Sequence, residues 1–524
     1  MIREELFDMI NIVNIHFIGI GGIGMSALAR LFLTQKKIIS GSDSTDSSLI
    51  HELINEGMTV QIGHHAKNVP LATEMVVYSN AVPNDNPEIL EAKRRNLPLL
   101  SYFEALGQFT KNAKTLAICG THGKSTTTAL LSLGLIRAGF DPSVIIGTKL
   151  REFGGKNMRN SCHPKPVEGD NIFVIEACEY RRAFLNLHPS IIIITNMEAE
   201  HLDYYRDFAD YTEAFRSFIK KLPPNGILVF PYDDLAVRAL ADEYTGEKWS
   251  FGLNSSADVY LSGNEIFYKN KALDTLSLKI PGEHNRRNAL AALTGILAFE
   301  KSCAGRKAVM VRRSNHDSGK KPMSVTLRQA QGDKSVPQGD NTVPQREISN
   351  VFSVLHDYQG AWRRFEYRGK FQGAKVYDDY AHHPTEIRAT LSGARELFLK
   401  NHITVVFQPH QFNRTKNLFD DFAHSFDLAD TVIIPNIYEV RDQKKDRAEV
   451  SAEKLVSAIK KNHQNVEYTK DFAKTIDFLK KNIHKNDVLI IMGAGDVYEI
   501  TDVICTHGAK RSAYETNHSR SEYH

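Results

Sequence analysis

Cysteine is scarce in this chain, long apolar runs are absent, and the excess charge is small. The 524 residues include five scattered cysteines without Cys-x-x-Cys spacing, and the formal net charge is +3 at pH 7. This cysteine pattern indicates neither a zinc site nor a disulfide framework and fits a reducing compartment. The small charge argues against a nucleic-acid partner. No apolar run approaches the roughly 20 residues of a membrane span, and the acidic residues 1–5 do not resemble a signal peptide. We therefore expect a cytoplasmic protein with no membrane partner.

A chain of this length exceeds one ordinary hydrophobic core, so we expect two to four domains. Hydrophobic residues make up 42% and charged residues 24% of the chain, as in globular proteins. Short β-branched runs alternate with helix-like segments, which is typical of parallel sheets covered on both faces. The sequence predicts an α/β protein with three domains. They are an N-terminal Rossmann-like domain (1–108), a central P-loop ATPase-like domain (109–350) and a C-terminal, doubly wound Rossmann-like domain (351–508).

Three segments lack hydrophobic periodicity. Residues 160–171 and 303–347 are polar and contain similar Gly-Asp pairs, and residues 509–524 are polar throughout. We interpret the first two as disordered insertions and the third as a disordered tail. A basic partner-binding loop is the alternative for residues 303–347.

Residues 119–128 carry the clearest chemical pattern, Cys-Gly-Thr-His-Gly-Lys-Ser-Thr-Thr-Thr. An apolar strand precedes them and a helix-forming run follows. Backbone N–H groups of such a turn can cradle a phosphate, Lys124 adds a positive charge, and the Ser125 hydroxyl can ligate Mg²⁺. An ordinary glycine turn is the alternative, but it gives no packing purpose to Lys-Ser at a helix start. The predicted ATP contacts here are Gly120, Thr121, His122, Gly123, Lys124, Ser125 and Thr126.

A second glycine motif lies near the N-terminus. Residues 19–24 read Gly-Ile-Gly-Gly-Ile-Gly after a predicted strand and before a helix, with Asp43 about 20 positions further on. On its own this fingerprint suggests NAD. A nucleotide sugar diphosphate such as a UDP-sugar would use the same geometry, so both interpretations stay open from the residues alone.

Two further groups follow predicted strands of the central domain. Glu176 ends an apolar strand and is placed to hold Mg²⁺, although an ion pair with Arg181 or Arg182 is the structural alternative. His201 also follows a strand and could ligate a second Mg²⁺, but such a histidine is commonly a cap or a core residue.

Two asparagines and one arginine complete the candidate binding residues. Asn285 and Asn288 lie three positions apart at a helix start and could contact an adenine edge, although capping explains Asn285 equally well. Residues 378–386 and 408–415 concentrate polar groups after two strands of the third domain. Arg414 is the candidate to bind an amino-acid carboxylate.

In this order, the motifs resemble those of the Mur ligase family. The phosphate loop has two residues between its glycines instead of four, which is the form of Mur ligases and folylpolyglutamate synthases. Residues 19–26, 176–182, 379–386 and 409–415 resemble the branch that joins L-alanine to UDP-N-acetylmuramate. The resemblance runs from about residue 14 to about 504, apart from the two insertions.

The resemblance implies an ATP- and Mg²⁺-dependent amide ligase of peptidoglycan precursor synthesis, a monomer or a homodimer. The lactyl carboxylate of UDP-N-acetylmuramate is phosphorylated by ATP, and L-alanine attacks the acyl phosphate. It implies catalytic roles for Lys124, Glu176, His201, His382 and Arg364, and metal ligation by Ser125, Glu176 and His201. It places adenine at Asn285 and Asn288, phosphates at Arg363 or Arg364, L-alanine at Tyr380, His382 and Arg414, and the UDP-sugar at Gly19, Gly21, Gly22, Gly24, Asp43, His64 and Ser79.

The chain departs from that branch at a few positions, and alternatives remain. Gln411 stands where the branch often has Arg, Ser125 replaces the commoner Thr, and Glu200 replaces Asp. The first alternative is the related murein tripeptide recycling ligase, which is not expected to carry Pro-His-x-x-x-Arg-Thr in the third domain. An NAD-dependent dehydrogenase would leave Lys124 and Glu176 unexplained. A non-catalytic nucleotide-binding regulator is the third alternative.

Overall fold

The computed structural model describes residues 11–161, 171–201, 204–303, 345–439, 442 and 444–505. These residues form three α/β units in chain order, each built on its own sheet. None of their helices is both long and apolar enough to span a membrane. The predicted tail and nearly all of the two predicted insertions lie outside the described residues.

The N-terminal unit is a five-stranded parallel sheet in the order β3-β2-β1-β4-β5. The strand order reverses between β1 and β4, and the crevice beyond their carboxyl ends is where ligands bind in such sheets. Gly19 follows β1 and Ser79 follows β4 at this crevice. The elements are β1 (Asn14–Ile18), α1 (Ile23–Thr34), β2 (Ile38–Asp43), α2 (Ser48–Asn55), β3 (Thr59–Ile62), β4 (Met75–Tyr78), α3 (Pro87–Arg94), β5 (Leu99–Ser101) and α4 (Tyr102–Thr110).

The central unit carries a ten-stranded mixed sheet in the order β15-β14-β13-β12-β11-β10-β6-β9-β7-β8. Its elements are β6 (Lys114–Cys119), α5 (Lys124–Arg137), β7 (Ser143–Leu150), β8 (Lys156–Arg159), β9 (Ile172–Glu176), β10 (Ile191–Ile194), α6 (Phe208–Ile219), β11 (Ile227–Pro231), α7 (Leu235–Glu243), β12 (Glu247–Gly252), β13 (Val259–Ser262), β14 (Glu265–Tyr268), β15 (Lys271–Thr275), α8 (Glu283–Cys303) and α9 (Gln345–Asp357). Because β6 lies between the parallel strands β10 and β9, the loops after these three strands meet at one edge.

Helix α9 belongs to the core of the central unit. Val351, Phe352 and Leu355 are buried and pack with the apolar residues of α5 and α8. The domain boundaries remain predictions, and the one at residue 351 falls inside this helix.

The C-terminal unit is a six-stranded sheet in the order β16-β17-β21-β18-β19-β20, parallel except for β16. Its elements are β16 (Glu366–Phe371), β17 (Ala374–Asp379), α10 (Pro384–Leu397), β18 (Ile403–Phe407), α11 (Phe412–Asn417), α12 (Phe419–Ala423), β19 (Thr431–Pro435), α13 (Lys444–Glu449), α14 (Ala452–Ile459), β20 (Val466–Lys470), α15 (Phe472–Asn482), β21 (Val488–Met492) and α16 (Tyr498–Cys505).

The chain passes from the central to the C-terminal unit within one peptide bond. The backbone N–H of Trp362 donates to the Lys149 carbonyl at 3.1 Å, and its own carbonyl accepts from the Thr148 hydroxyl at 2.9 Å. Both partners lie on β7. The next side chain, Arg363, is buried in the C-terminal unit, where its Nε donates to Asp378 at 3.1 Å. The backbone of Trp362 is therefore anchored to one unit and the side chain of Arg363 to the other.

Candidate active site

The phosphate loop connects β6 to α5 and depends on two glycines. Gly120 and Gly123 have φ angles of +130° and +81°, in the region that favours glycine. A Cβ atom would overlap Thr195 Oγ1 at the first position and Asn288 Oδ1 at the second. The loop therefore has the left-handed turns and close contacts that only glycine permits.

Lys124 is the first residue of α5, and its side chain folds back over the loop. Its ammonium donates to the carbonyls of Gly120 and Thr121 at 2.5 and 3.0 Å and lies 3.0 Å from Glu179 Oε1. Burial would lower the pKa of Lys124, but the negative charges around it, Glu179 first and then Glu200 and Glu176, together outweigh burial and raise that pKa. Lys124 is therefore a fixed positive charge within the loop.

Ser125 and Glu176 meet, as the sequence predicts. The Ser125 hydroxyl donates to Glu176 Oε2 at 2.9 Å, and the backbone N–H of Gly147 donates to the same oxygen at 2.9 Å. Arg182 pairs with Asp210 at 2.9 Å instead of with Glu176. The carboxylate at the end of β9 thus faces the phosphate loop. Glu176 Oε2 and the Ser125 hydroxyl are neighbouring oxygen donors.

His201 lies in a neighbouring cluster rather than beside Glu176. Its Nε2 is 3.5 Å from Glu179 Oε1 and 3.8 Å from Glu200 Oε2, and ligand atoms of the three residues lie within 4.8 Å of one another. Glu179 is fully buried, and among the described residues its Oε2 has no hydrogen-bond partner. Burial would raise the pKa of Glu179, but the charge of Lys124 and the His201 hydrogen bond lower it. This anionic, incompletely satisfied group fits a divalent cation.

A cavity of about 110 Å³ adjoins the phosphate loop. The Asn285 amide donates to the Pro281 carbonyl at 2.7 Å, and the Thr127 hydroxyl donates to Asn288 Oδ1 at 3.4 Å. A helix cap accepts from backbone N–H groups, so the Asn285 amide does not act as one here. Among the residues lining this cavity are His122, Gly123, Thr126, Asn285, Asn288 and Arg364.

Only one of the two predicted phosphate-binding arginines lies at this cavity. Arg364 lines it, whereas Arg363 is buried with Asp378 and donates to the carbonyls of Gly493 and Gly495. Because these contacts commit the Arg363 guanidinium to the C-terminal unit, Arg364 is the better placed of the two, and the ATP contact of Arg363 stays a prediction.

A larger cavity of about 580 Å³ is lined by all three units. The N-terminal unit contributes Gly22, Gly24 and Ser79, the central unit Arg181, Glu200 and His201, and the C-terminal unit His383, Gln411 and Arg414. Three of the predicted UDP-sugar residues therefore face the same space as a predicted metal ligand and the predicted carboxylate-binding arginine. Gly19, Gly21, Asp43 and His64 are not among its lining residues.

Asp43 and His64 instead support the glycine motif and its surroundings. Asp43 Oδ2 accepts from the backbone N–H of Gly21 at 2.8 Å. His64 Nδ1 lies 3.0 Å from the Ser42 hydroxyl and 3.5 Å from Glu88 Oε1. The sequence prediction of direct sugar contacts by these residues stays a prediction.

Glu88 organises this part of the N-terminal unit. The fully buried carboxylate accepts from the Ser42 hydroxyl at 2.6 Å and the Asn68 amide at 2.9 Å, and lies 3.0 Å from His16 Nε2. Burial by itself would raise the pKa of Glu88, but these hydrogen bonds outweigh it and lower the pKa to about 2. Glu88 is therefore an ionised group at neutral pH.

The predicted L-alanine residues form a chain of contacts ending at the larger cavity. The rings of Tyr380 and His382 lie 5.4 Å apart, and those of His382 and His410 lie 6.0 Å apart. His410 Nδ1 is 3.2 Å from Arg414 Nη1. Burial holds the pKa of His382 well below its ordinary value, so its imidazole is neutral. Tyr380 and His382 do not themselves line either described cavity.

Three family models match the chain in sequence order. They are the Mur ligase family catalytic domain at residues 14–114, the Mur ligase middle domain at 118–295, and the Mur ligase glutamate ligase domain at 363–495. The chain belongs to the Mur ligase family. This membership accounts for both glycine motifs and does not favour the dehydrogenase interpretation.

Relatives and solved structures agree with this assignment. A UDP-N-acetylmuramate--L-alanine ligase of Acetivibrio thermocellus is 35% identical over 515 residues, which are 96% of this chain and 98% of that protein. Its counterpart in Lachnospira eligens is 37% identical over 506 residues, 94% of this chain and 98% of that protein. The structure of a UDP-N-acetylmuramate-alanine ligase from Thermotoga maritima superposes with a TM-score of 0.70 at 24% identity, covering 94% and 98% of the two chains. A murein peptide ligase from Psychrobacter arcticus gives 0.65 at 20% identity, covering 97% and 100%. These structures share the three-part α/β fold.

Sequence reasoning missed the roles of Glu179 and Glu386. Glu179 pairs with Lys124, and Glu386 lies 3.1 Å from His122 in the phosphate loop. Both occur inside motifs quoted from the sequence, so motif membership was the available signal. Neither spacing nor residue type indicated their partners.

Proposed function

We propose that this chain joins L-alanine to the lactyl carboxylate of UDP-N-acetylmuramate with hydrolysis of ATP to ADP and phosphate. Membership of an ATP-dependent ligase family supports the reaction type. Full-length relatives that carry this activity in their names support the substrates.

One observation carries the proposal. The smaller cavity is lined by the phosphate loop and by the asparagines predicted for adenine, and the larger cavity is built from all three units. The larger cavity places the glycine motif, His201 and Arg414 around one space. A ligase that uses three substrates requires such a junction, because the acyl phosphate must form and react away from water.

The chemistry follows from the groups at the junction. The lactyl carboxylate attacks the γ-phosphorus of ATP, ADP leaves, and an acyl phosphate forms. Lys124 and Arg364 supply positive charge where negative charge accumulates. The amine of L-alanine then attacks the acyl carbon, a tetrahedral intermediate forms, and phosphate leaves. Neutral His382 is in the protonation state that can accept the proton lost by the amine, and Arg414 is the group that holds the alanine carboxylate.

The oxygen donors of Ser125 and Glu176 and the cluster of Glu179, Glu200 and His201 would hold Mg²⁺. When bound, the cation neutralises phosphate charge. The buried, unpartnered Oε2 of Glu179 is the feature of this structure that fits such a cation.

The test measures phosphate release from Mg·ATP with UDP-N-acetylmuramate, first without and then with L-alanine. Release that requires L-alanine, with a product heavier by one alanyl residue, supports the proposal. A parallel reaction replaces L-alanine with the murein tripeptide. Release with the tripeptide only would assign the chain to the recycling branch, and release in neither reaction would leave a binding protein.

A further inference from the structure

Glu386 uses its two carboxylate oxygens for two different parts of the molecule. Oε1 lies 3.1 Å from Nδ1 of His122, which belongs to the phosphate loop of the central unit. Oε2 accepts from the backbone N–H groups of His382 and His383 at 3.0 and 3.3 Å and lies 3.3 Å from His382 Nδ1. One carboxylate thus connects the phosphate loop to the segment proposed to contact L-alanine.

The backbone of His122 is fixed from the opposite side. Its N–H donates to Asn196 Oδ1 at 2.9 Å, and its carbonyl accepts from Thr195 Oγ1 at 2.6 Å and from the Asn196 amide at 2.9 Å. Both partners follow β10 of the central unit. The imidazole is therefore the part of the loop that reaches the C-terminal unit, while the backbone stays with the sheet.

A second contact runs parallel to the first. Glu198 Oε2 lies 3.7 Å from His122 Nε2 and accepts from the Thr385 hydroxyl at 3.0 Å. The two carboxylates outweigh the effect of burial and raise the pKa of His122 to about 10. The imidazolium at neutral pH therefore lies between one carboxylate of each unit.

The same group also resembles a metal site, because donor atoms of His122, Glu198 and His383 lie within 4.8 Å of one another. The hydrogen bonds favour the ionic bridge. His383 Nδ1 accepts from the backbone N–H of Thr385 as a helix cap, and His122 Nδ1 lies 3.1 Å from Glu386 Oε1. A cation here would have to displace both arrangements.

We infer that Glu386 is a positioning residue that makes the geometry of the phosphate loop depend on occupancy of the amino-acid site. This inference rests on the proposed function. L-alanine bound against the segment around His382 acts through the Glu386 carboxylate, which that segment already holds, on His122, which adjoins Gly123 in the phosphate loop. By linkage, ATP must then favour L-alanine binding to the same extent.

The experiment measures binding of Mg²⁺ with a non-hydrolysable ATP analogue to the full chain saturated with UDP-N-acetylmuramate, with and without L-alanine. We expect L-alanine to tighten analogue binding about 5-fold or more in the unmodified protein, the lower end of typical coupling. Glu386→Gln is nearly isosteric and should bring this ratio close to one. His122→Gln should do the same, and the double variant should lose no more than either single variant.

Glu396→Gln is the matched control. Glu396 lies on the same helix, α10, and also forms a contact between units, 3.7 Å from Arg286, but this pair is exposed and remote from the loop. Its ratio should equal that of the unmodified protein. Melting temperature and UDP-N-acetylmuramate affinity, measured for each variant, separate coupling from loss of structure, and His122→Gln tests the same contact if Glu386→Gln fails to fold.

Two results would overturn the inference. One is an unmodified protein in which L-alanine leaves analogue affinity unchanged, and the other is folded Glu386→Gln and His122→Gln variants that keep the full ratio. Phosphate release that requires L-alanine, measured on the same preparation, shows separately whether the proposed function holds. Without such release the proposed function fails, and the inference fails with it.

Discussion

The ammonium of Lys124 lies 3.0 Å from the buried carboxylate of Glu179, and this contact engages the last of its three N–H donors. The other two donate to the carbonyls of Gly120 and Thr121. A lysine ammonium has three donors and no more. A nucleotide phosphate that binds Lys124 must therefore replace one of these partners, and the charged Glu179 is the partner with which it competes.

Lys124→Ala should abolish ATP turnover while UDP-sugar binding survives. Removing one charge-stabilising donor typically costs about 10²- to 10³-fold in kcat, and Lys124 also neutralises Glu179. Phosphate release and UDP-N-acetylmuramate affinity are the two measurements. Lys301→Ala, which removes an exposed ion pair with Glu247, serves as the control. Turnover retained by Lys124→Ala would refute the site.

Ser125→Ala should raise the Mg²⁺ concentration needed for half-maximal activity by about 10- to 100-fold, the cost typical of a lost group at a metal site. The variant loses a hydroxyl that touches Glu176, whereas Ser125→Thr keeps it and should retain activity. Ser132→Ala on the same helix removes a hydroxyl that donates to the Thr128 carbonyl and should leave the Mg²⁺ requirement unchanged. A Mg²⁺ titration in which Ser125→Ala matches the unmodified protein would contradict the assignment.

Gly123→Ala should weaken ATP-analogue binding and lower stability by about 1–3 kcal/mol, because the position combines a left-handed φ with contact to Asn288. Gly139→Ala isolates the first effect: its φ is +91°, but nothing lies within 4 Å of the added Cβ. The denaturant midpoint should fall for both variants, because both carry the backbone strain. The affinity for the ATP analogue should fall for Gly123→Ala, because only that position lies in the phosphate loop. Equal affinity losses would be inconsistent with this.

Arg414→Ala should raise the KM for L-alanine by about 10- to 100-fold while ATP and UDP-sugar affinities stay near those of the unmodified protein. A charge-assisted contact to a carboxylate is worth about 1.5–3 kcal/mol, and the loss of its charge leaves the substrate carboxylate unpaired. Gln411→Arg adds a cation to the same cavity wall and should lower this KM. Steady-state kinetics with each substrate varied in turn provide the measurement. An unchanged alanine KM in Arg414→Ala would place the carboxylate elsewhere.

Glu88 should give the N-terminal unit acid-sensitive stability. Its pKa falls from an ordinary 4.5 to about 2 in the folded protein, so its contribution is present above about pH 4.5 and is lost as the pH falls from there toward 2. Glu88→Gln should lower stability at pH 7 by about 1–3 kcal/mol through unmatched donors and flatten this acid slope. The urea midpoints of the unmodified protein and of Glu88→Gln, measured between pH 5 and pH 3, test this difference in acid slope. Asp46→Asn, which removes an exposed contact with His51 in the same unit, should keep the slope.

The sequence was sufficient wherever a local pattern determines the structure. The apolar strand that the sequence predicts to end at Glu176 is observed as Ile172–Glu176, and helix α5 follows the glycine loop as predicted. The sequence assigned Ser125 and Glu176 each to Mg²⁺, and their contact agrees with that interpretation because β6 and β9 are adjacent parallel strands whose carboxyl ends share one edge.

Contacts between distant segments were beyond prediction. His122 and Glu386 are 264 residues apart, and no periodicity connects them. Arg363 and Arg364 are neighbours of the same type, yet a φ of +55° at Arg363 accompanies burial of that side chain in the C-terminal unit, while Arg364 lines the smaller cavity. The predicted boundary at residue 351 falls within helix α9, because the sequence did not indicate that this segment packs in the core of the central unit.

The single peptide bond between Trp362 and Arg363 limits how the C-terminal unit can move. A joint this short acts as a pivot: it permits rotation and almost no translation. Any reorientation therefore moves atoms in proportion to their distance from the joint, so Arg364 stays near its position while groups further out, such as Arg414, travel along an arc. Residues next to the pivot can keep their contacts with the central unit at every orientation of the C-terminal unit. Residues far from the pivot can make contacts with the central unit at one orientation only.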